Sequence, residues 1–118
     1  MARAEPGLVT ILSWTHTGTA AGVPDDAATS LGLPAGASAI LCQVHSTRAG
    51  NTASDFDVLA FGSLDGVNFD NYAFQKEESF GDGYIKTFQL TPGAVAVQFQ
   101  LDVNVGDAYV DLYVMAVR

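Results

Sequence analysis

The sequence predicts an all-β fold, an antiparallel β-sandwich or jelly roll of about seven to eight strands, on three observations. Residues 95–105 alternate strictly: Val95, Val97, Phe99, Leu101, Val103 and Val105 are apolar, and Ala96, Gln98, Gln100, Asp102 and Asn104 fall between them. That period of two gives one face to a core and one to water, whereas a helix would scatter the same residues around its circumference. Apolar stretches recur along the chain at roughly 10 to 15 residue spacing, separated by Gly, Asp and Pro. No segment sustains a helical period; the only candidate is a single short turn over residues 24–32, ended by Gly32.

Taken in order, residues 1–7 read as an N-terminal arm and residues 8–118 as one sandwich domain. Leu8 to Trp14 is the first expected strand, and Thr15 to Gly36, rich in Gly, Ala, Thr and Pro, is a loop. Ala39 to Ser46 follows, with Ile40, Cys42 and Val44 facing inward. Phe56 to Ser63 is apolar on both faces. Asp65-Gly66 then suits a tight hairpin turn into Asn71 to Lys76. Tyr84 to Leu90 precedes the alternating strand 95–105, and Gly106-Asp107 turns the chain into Tyr109 to Val117. In that last strand Val110, Leu112, Val114 and Ala116 share one face. Tyr109, Asp111, Tyr113, Met115 and Val117 share the other, which is apolar enough to need a neighbour.

Composition narrows the function. The chain has 118 residues, 48% of them hydrophobic and 15% charged, too apolar for a disordered protein and sized for one core. Thirteen acids against five Lys and Arg leave a net charge of −8, which disfavours duplex nucleic acid and anionic membrane as partners. No apolar run is long enough to span a bilayer as a helix. Cys42 is the only cysteine, so an intrachain disulfide and a thiolate zinc cluster are excluded. The first residues lack the form of a signal peptide, which suggests a chain made and used in a reducing compartment.

Candidate chemistry is sparse. His16 and His45 have no third ligand at metal-site spacing, and the expectation for His45 is a solvent-facing strand residue. A Ser-His-Asp set can be assembled from any chain with this many Ser and Asp, but no Gly-x-Ser-x-Gly elbow accompanies it. Asp55, Asp57, Asp65, Asp70 and Asp82 could supply oxygen ligands to calcium, but their spacing is not that of an EF-hand. They read better as solvated turn residues, with Asp55 and Asp57 as strand-edge charges that discourage sheet-to-sheet aggregation. No cofactor, metal or catalytic residue is expected. Twelve aromatics fit core packing and an interface better than a sugar platform, for which Trp14, Tyr72 and Tyr84 would be the candidates.

The run Phe61-Gly62-Ser63-Leu64-Asp65-Gly66-Val67-Asn68-Phe69 resembles a hairpin of small β-sandwich virion proteins of tailed bacteriophages, most like the capsid decoration (cement) proteins. In it Asp-Gly permits the turn, Asn68 can close it by a side-chain hydrogen bond, and Phe69 returns to the core. The resemblance covers about nine residues. It implies a structural protein on the capsid exterior of a virion assembled in the host cytoplasm. Its partners would be the major capsid protein and further copies of itself, as a homotrimer. Contact surfaces would lie on Arg3, Glu5 and Pro6 of the arm, forming a latch on assembly, and on Tyr109, Tyr113 and Met115 of the last strand. The alternative is a carbohydrate-binding or tail/baseplate sandwich module for host-surface recognition.

Overall fold

The computed structural model describes residues 2–16, 21–22, 30–35, 37–52, 55–71, 75–80, 83–91 and 93–117; at 2, 16, 21–22, 55, 75–80 and 103–105 the backbone alone is described. The described strands are β1 (Ala2–Arg3), β2 (Val9–His16), β3 (Ala21–Gly22), β4 (Ser30–Gly32), β5 (Ala39–His45), β6 (Asp55–Ser63), β7 (Gln75–Phe80), β8 (Ile85–Leu90), β9 (Ala96–Val105) and β10 (Ala108–Val117). They form two layers. One sheet runs β1-β4-β9-β6-β7, with β3 also on β9, and the other runs β2-β10-β5-β8. Every strand pairing is antiparallel except β1 with β4. The chain is therefore an all-β antiparallel sandwich, as its alternation predicts.

The period of two sets what each strand buries. Val97, Phe99 and Leu101 of β9 and Phe56, Val58 and Ala60 of β6 face Leu12 and Trp14 of β2, the even residues 108–116 of β10, and Ile40, Cys42 and Val44 of β5. The inner faces of the two layers thus close on one core, the usual packing of stacked sheets. Fully burying one such Leu, Val or Phe contributes roughly 1.5–3 kcal/mol before conformational entropy is set against it. The thiol of Cys42 lies in this core as a small apolar filler.

Four expectations change. Ser30–Gly32, expected in a loop or turn, is a strand paired with β9, and β3 also falls inside the expected loop. These strands are two or three residues long, too short to show a period. Residues 24–29 of the expected turn lie outside the described residues. Residues 2–7, expected as an arm, lie against the sandwich. Ala4 is buried and its N–H donates to Gly32 O at 2.8 Å, while Gly7 N–H donates to Ala116 O at 3.2 Å. Gly32 makes room for this: a Cβ there would come within 3.2 Å of the Arg3 guanidinium. Asp57 is not an edge charge, because β6 lies between β9 and β7, and its side chain is buried.

The Asp65-Gly66 turn is the fourth. It does not join adjacent strands as a two-residue hairpin, since Ala60 pairs with Gln75 and leaves a longer connection. The turn closes on itself instead. Ser63 Oγ donates to Asp65 Oδ1 at 3.0 Å and accepts from Gly66 N–H at 2.9 Å. Asp65 Oδ1 also accepts from the Val67 and Asn68 N–H groups at 2.8 and 2.7 Å, and its Oδ2 accepts from Asn68 Nδ2 at 2.8 Å. Gly66 has φ +76°, a conformation that favours glycine. The closing role expected of Asn68 is therefore shared with Asp65 and Ser63.

Candidate functional site

The outer face of β2-β10-β5-β8 is built from the residues that alternate with the core. Strand register lines them up in rows across the sheet: Ser13, Asp111, His45 and Ile85; then Ile11, Tyr113, Gln43 and Thr87; then Val9, Met115, Leu41 and Gln89. One end of this face is polar and the other apolar.

The polar end is saturated from within. Asp111 Oδ1 accepts from Ser13 Oγ at 2.8 Å and from the Arg48 guanidinium at 3.1 Å. Arg48 also donates to Trp14 O at 3.0 Å and Thr15 Oγ1 at 2.9 Å, and its guanidinium lies 5.7 Å from the Tyr109 ring centre. Asn51 binds the same loop inward, donating to Ser46 O and accepting from the Tyr109 N–H. Between this row and the next, the His45 and Tyr113 rings pack at 4.3 Å, tilted by 32°. Gln43 Oε1 lies 2.6 Å from His45 Nε2, and Gln43 Nε2 donates to Thr87 Oγ1. His45 thus lies on the outer face, as the alternation predicts, but half-buried and held by Tyr113 and Gln43.

Ser13, Asp111 and His45 are the three residue types of a hydrolytic triad, and β2, β10 and β5 bring them into one row. Their wiring is not that of a triad. A triad places the imidazole between hydroxyl and carboxylate, so that it can take the serine proton. Here the hydroxyl donates straight to the carboxylate, and the Nε2 of His45 is engaged by Gln43. The arrangement fixes strands; it does not activate an oxygen.

The apolar end holds an open groove of about 220 Å3, whose lining includes Val9, Leu41, Gln43, Thr87, Tyr113 and Met115. Beside it Val9 and Ile11 remain 56% and 48% exposed, and Leu8 is exposed as well. Of the six expected contact residues, this surface gathers Tyr113 and Met115. Tyr109 is taken up by Arg48 and the Asn51 loop. Arg3 reaches Leu33 O, Glu5 is exposed, and Pro6 bridges to Ala116 in the docked N-terminal segment. Val9, Ile11 and Leu41 were not among the expected contacts. In β2 both Val9/Ile11 and Leu12/Trp14 are apolar, so alternation alone does not say which pair faces out.

The other candidates separate. Trp14 is fully buried and cannot form a platform, Tyr84 is exposed, and Tyr72 lies outside the described residues. Asp82 and the side chains of His16 and Asp55 lie outside them too. Among the described residues, Asp57, Asp65 and Asp70 join no cluster of three metal-binding side chains. No described helix is long and apolar enough to cross a membrane.

No family model matches the chain, and no curated protein sequence matches it. Two solved structures are similar in shape. The Yersinia pseudotuberculosis-derived mitogen aligns over 94% of this chain and 86% of its own, at 10% identity and a TM-score of 0.52. A chain of the Bacillus endospore appendages, a family of disulfide-linked pili, aligns over 100% of this chain and 98% of its own, at 11% identity and a TM-score of 0.47. Likeness at such identity is one of fold.

Proposed function

We propose that this chain is a structural interaction protein of a tailed-phage particle, a decoration protein that adheres to the outer capsid through the outer face of β2-β10-β5-β8. The observation that supports this reading is the division of that face. Its apolar end offers Val9, Ile11, Leu41, Tyr113 and Met115 together, the aliphatic, aromatic and Met content of an interface centre. Its polar end has already satisfied its charges internally, through Arg48 and Asp111, so covering it leaves no stranded ion. The partner is the major capsid protein, repeated over a symmetric shell, so that individually weak contacts add through multivalency. A net charge of −8 suits the exterior of a shell better than the neighbourhood of packaged DNA.

The test is cosedimentation with empty heads of the phage that encodes the chain. Wild-type protein pellets with the heads, and Tyr113→Asp and Met115→Asp weaken binding at least tenfold while circular dichroism stays that of a folded sheet protein. Wild-type protein left in the supernatant, or variants that bind as well as wild type, would remove the reading.

A further inference from the structure

We propose that the free edge of β2 joins two copies of this chain, antiparallel about a two-fold axis. The pairing concerns the isolated protein and does not depend on what the paired molecule then binds. Among the described residues β2 pairs with β10 alone, so one side of an eight-residue strand turns backbone N–H and C=O groups outward. Such an edge is a template for another strand, and proteins normally guard it with charge, proline or a bulge.

The ends of the two sheets differ in that guard. β1 carries Arg3, β7 carries Lys76, Glu77 and Glu78, and β8 carries Lys86. β2, with the sequence Val-Thr-Ile-Leu-Ser-Trp-Thr-His, carries no acid, Lys, Arg or Pro. Two molecules each bearing −8 repel, and the least costly place for them to meet is one without formal charge. β2 meets that condition: the Arg48 guanidinium that reaches its Trp14 O and Thr15 Oγ1 is paired with Asp111, and the exposed Val9 and Ile11 beside its edge give the contact apolar area to cover. A strand paired with its own copy is self-complementary and closes at two subunits. The product is a continuous eight-stranded sheet with two of the apolar outer faces on one side.

Sedimentation equilibrium of the purified chain decides it. The expected result is a dimer of the 12.3 kDa chain that tightens as salt is raised, because salt screens the repulsion between like-charged copies. Ile11→Glu, and separately Val9→Glu, add a further negative charge beside the paired edge of each copy and weaken the dimer at least tenfold. Leu64→Glu, on the loop after β6, leaves it unchanged. Both β2 positions are about half exposed, so the fold tolerates the substitutions, and near-ultraviolet circular dichroism checks that it does. A wild-type monomer up to its solubility limit, a dimer unaltered by both β2 variants, or association that weakens with salt would overturn the proposal. So would a trimer, which requires a head-to-tail contact such as β2 on β8. Cosedimentation with heads is read separately, so loss of the dimer and loss of shell binding are distinguishable.

Discussion

A ring contact and a 2.6 Å contact tie His45 to Tyr113 and Gln43, which gives a side chain at a strand end a structural task. A hydrogen bond contributes about 0.5–1.5 kcal/mol net and an aromatic pair a similar amount, so His45→Ala should cost about 1–2 kcal/mol in urea denaturation. A cost under about 0.5 kcal/mol would mean that both contacts are incidental. Asp65 shows a different kind of residue-level control. The backbone N–H groups of Asn68 and Val67, with the Asn68 amide and the Ser63 hydroxyl, hold its carboxyl well below the ordinary value of 3.8. A depressed folded value means that the turn gains its support from the ionised form. That support is complete above the ordinary carboxylate value and is lost as pH falls below it, toward the folded value. The Asn68 side-chain amide resonances should therefore stay fixed down to the ordinary value and move only below it. Asp65→Ala should speed amide exchange at Val67 and Asn68 without unfolding the sandwich.

Among the elements, β9 and β10 were the most legible, because each keeps one unbroken period of two over ten residues. The inward residues Phe99, Val110, Leu112 and Val114 are all fully buried. Phe99→Ala should cost roughly 3–5 kcal/mol, and a loss under about 1 kcal/mol would mean that the core is not where the alternation puts it. The short strands β1, β3 and β4 were not legible, since strands of two or three residues carry no period and owe their pairing to β9 and to each other. The burial of Asp57 was hidden for another reason. Whether β6 is a central or an edge strand depends on sheet order, which local sequence does not encode. The Arg48 clasp was likewise invisible, because Arg48, Asp111 and Trp14 meet only after β2, β10 and β5 have paired. Removing it with Arg48→Met should loosen residues 46–52, seen as faster amide exchange at Asn51 and Tyr109, at a cost of about 1–2 kcal/mol after allowance for its partial exposure.

At the scale of the whole molecule, sequence and structure agree on a two-layer stack with one core and differ on which parts of its surface are already in use. Two of the six expected contact residues, Tyr113 and Met115, meet in the groove, while Tyr109 is committed to its own loop and the 2–7 segment to its own sheets. Among the described residues, the exposed large apolar side chains fall in two places: Leu8, Val9, Ile11, Tyr84 and Ile85 on the layer that holds β2 and β8, and Leu64, Val67 and Val95 on the other layer. Adhesion through the outer face of β2-β10-β5-β8 uses the first. Hydroxyl-radical footprinting of the protein free and bound to phage heads tests that assignment most directly. Oxidation of Met115 and Tyr113 should fall sharply on binding while Leu64 and Val67 react as before; unchanged Met115 and Tyr113 in the bound protein, with protection at Leu64 and Val67 instead, would contradict it.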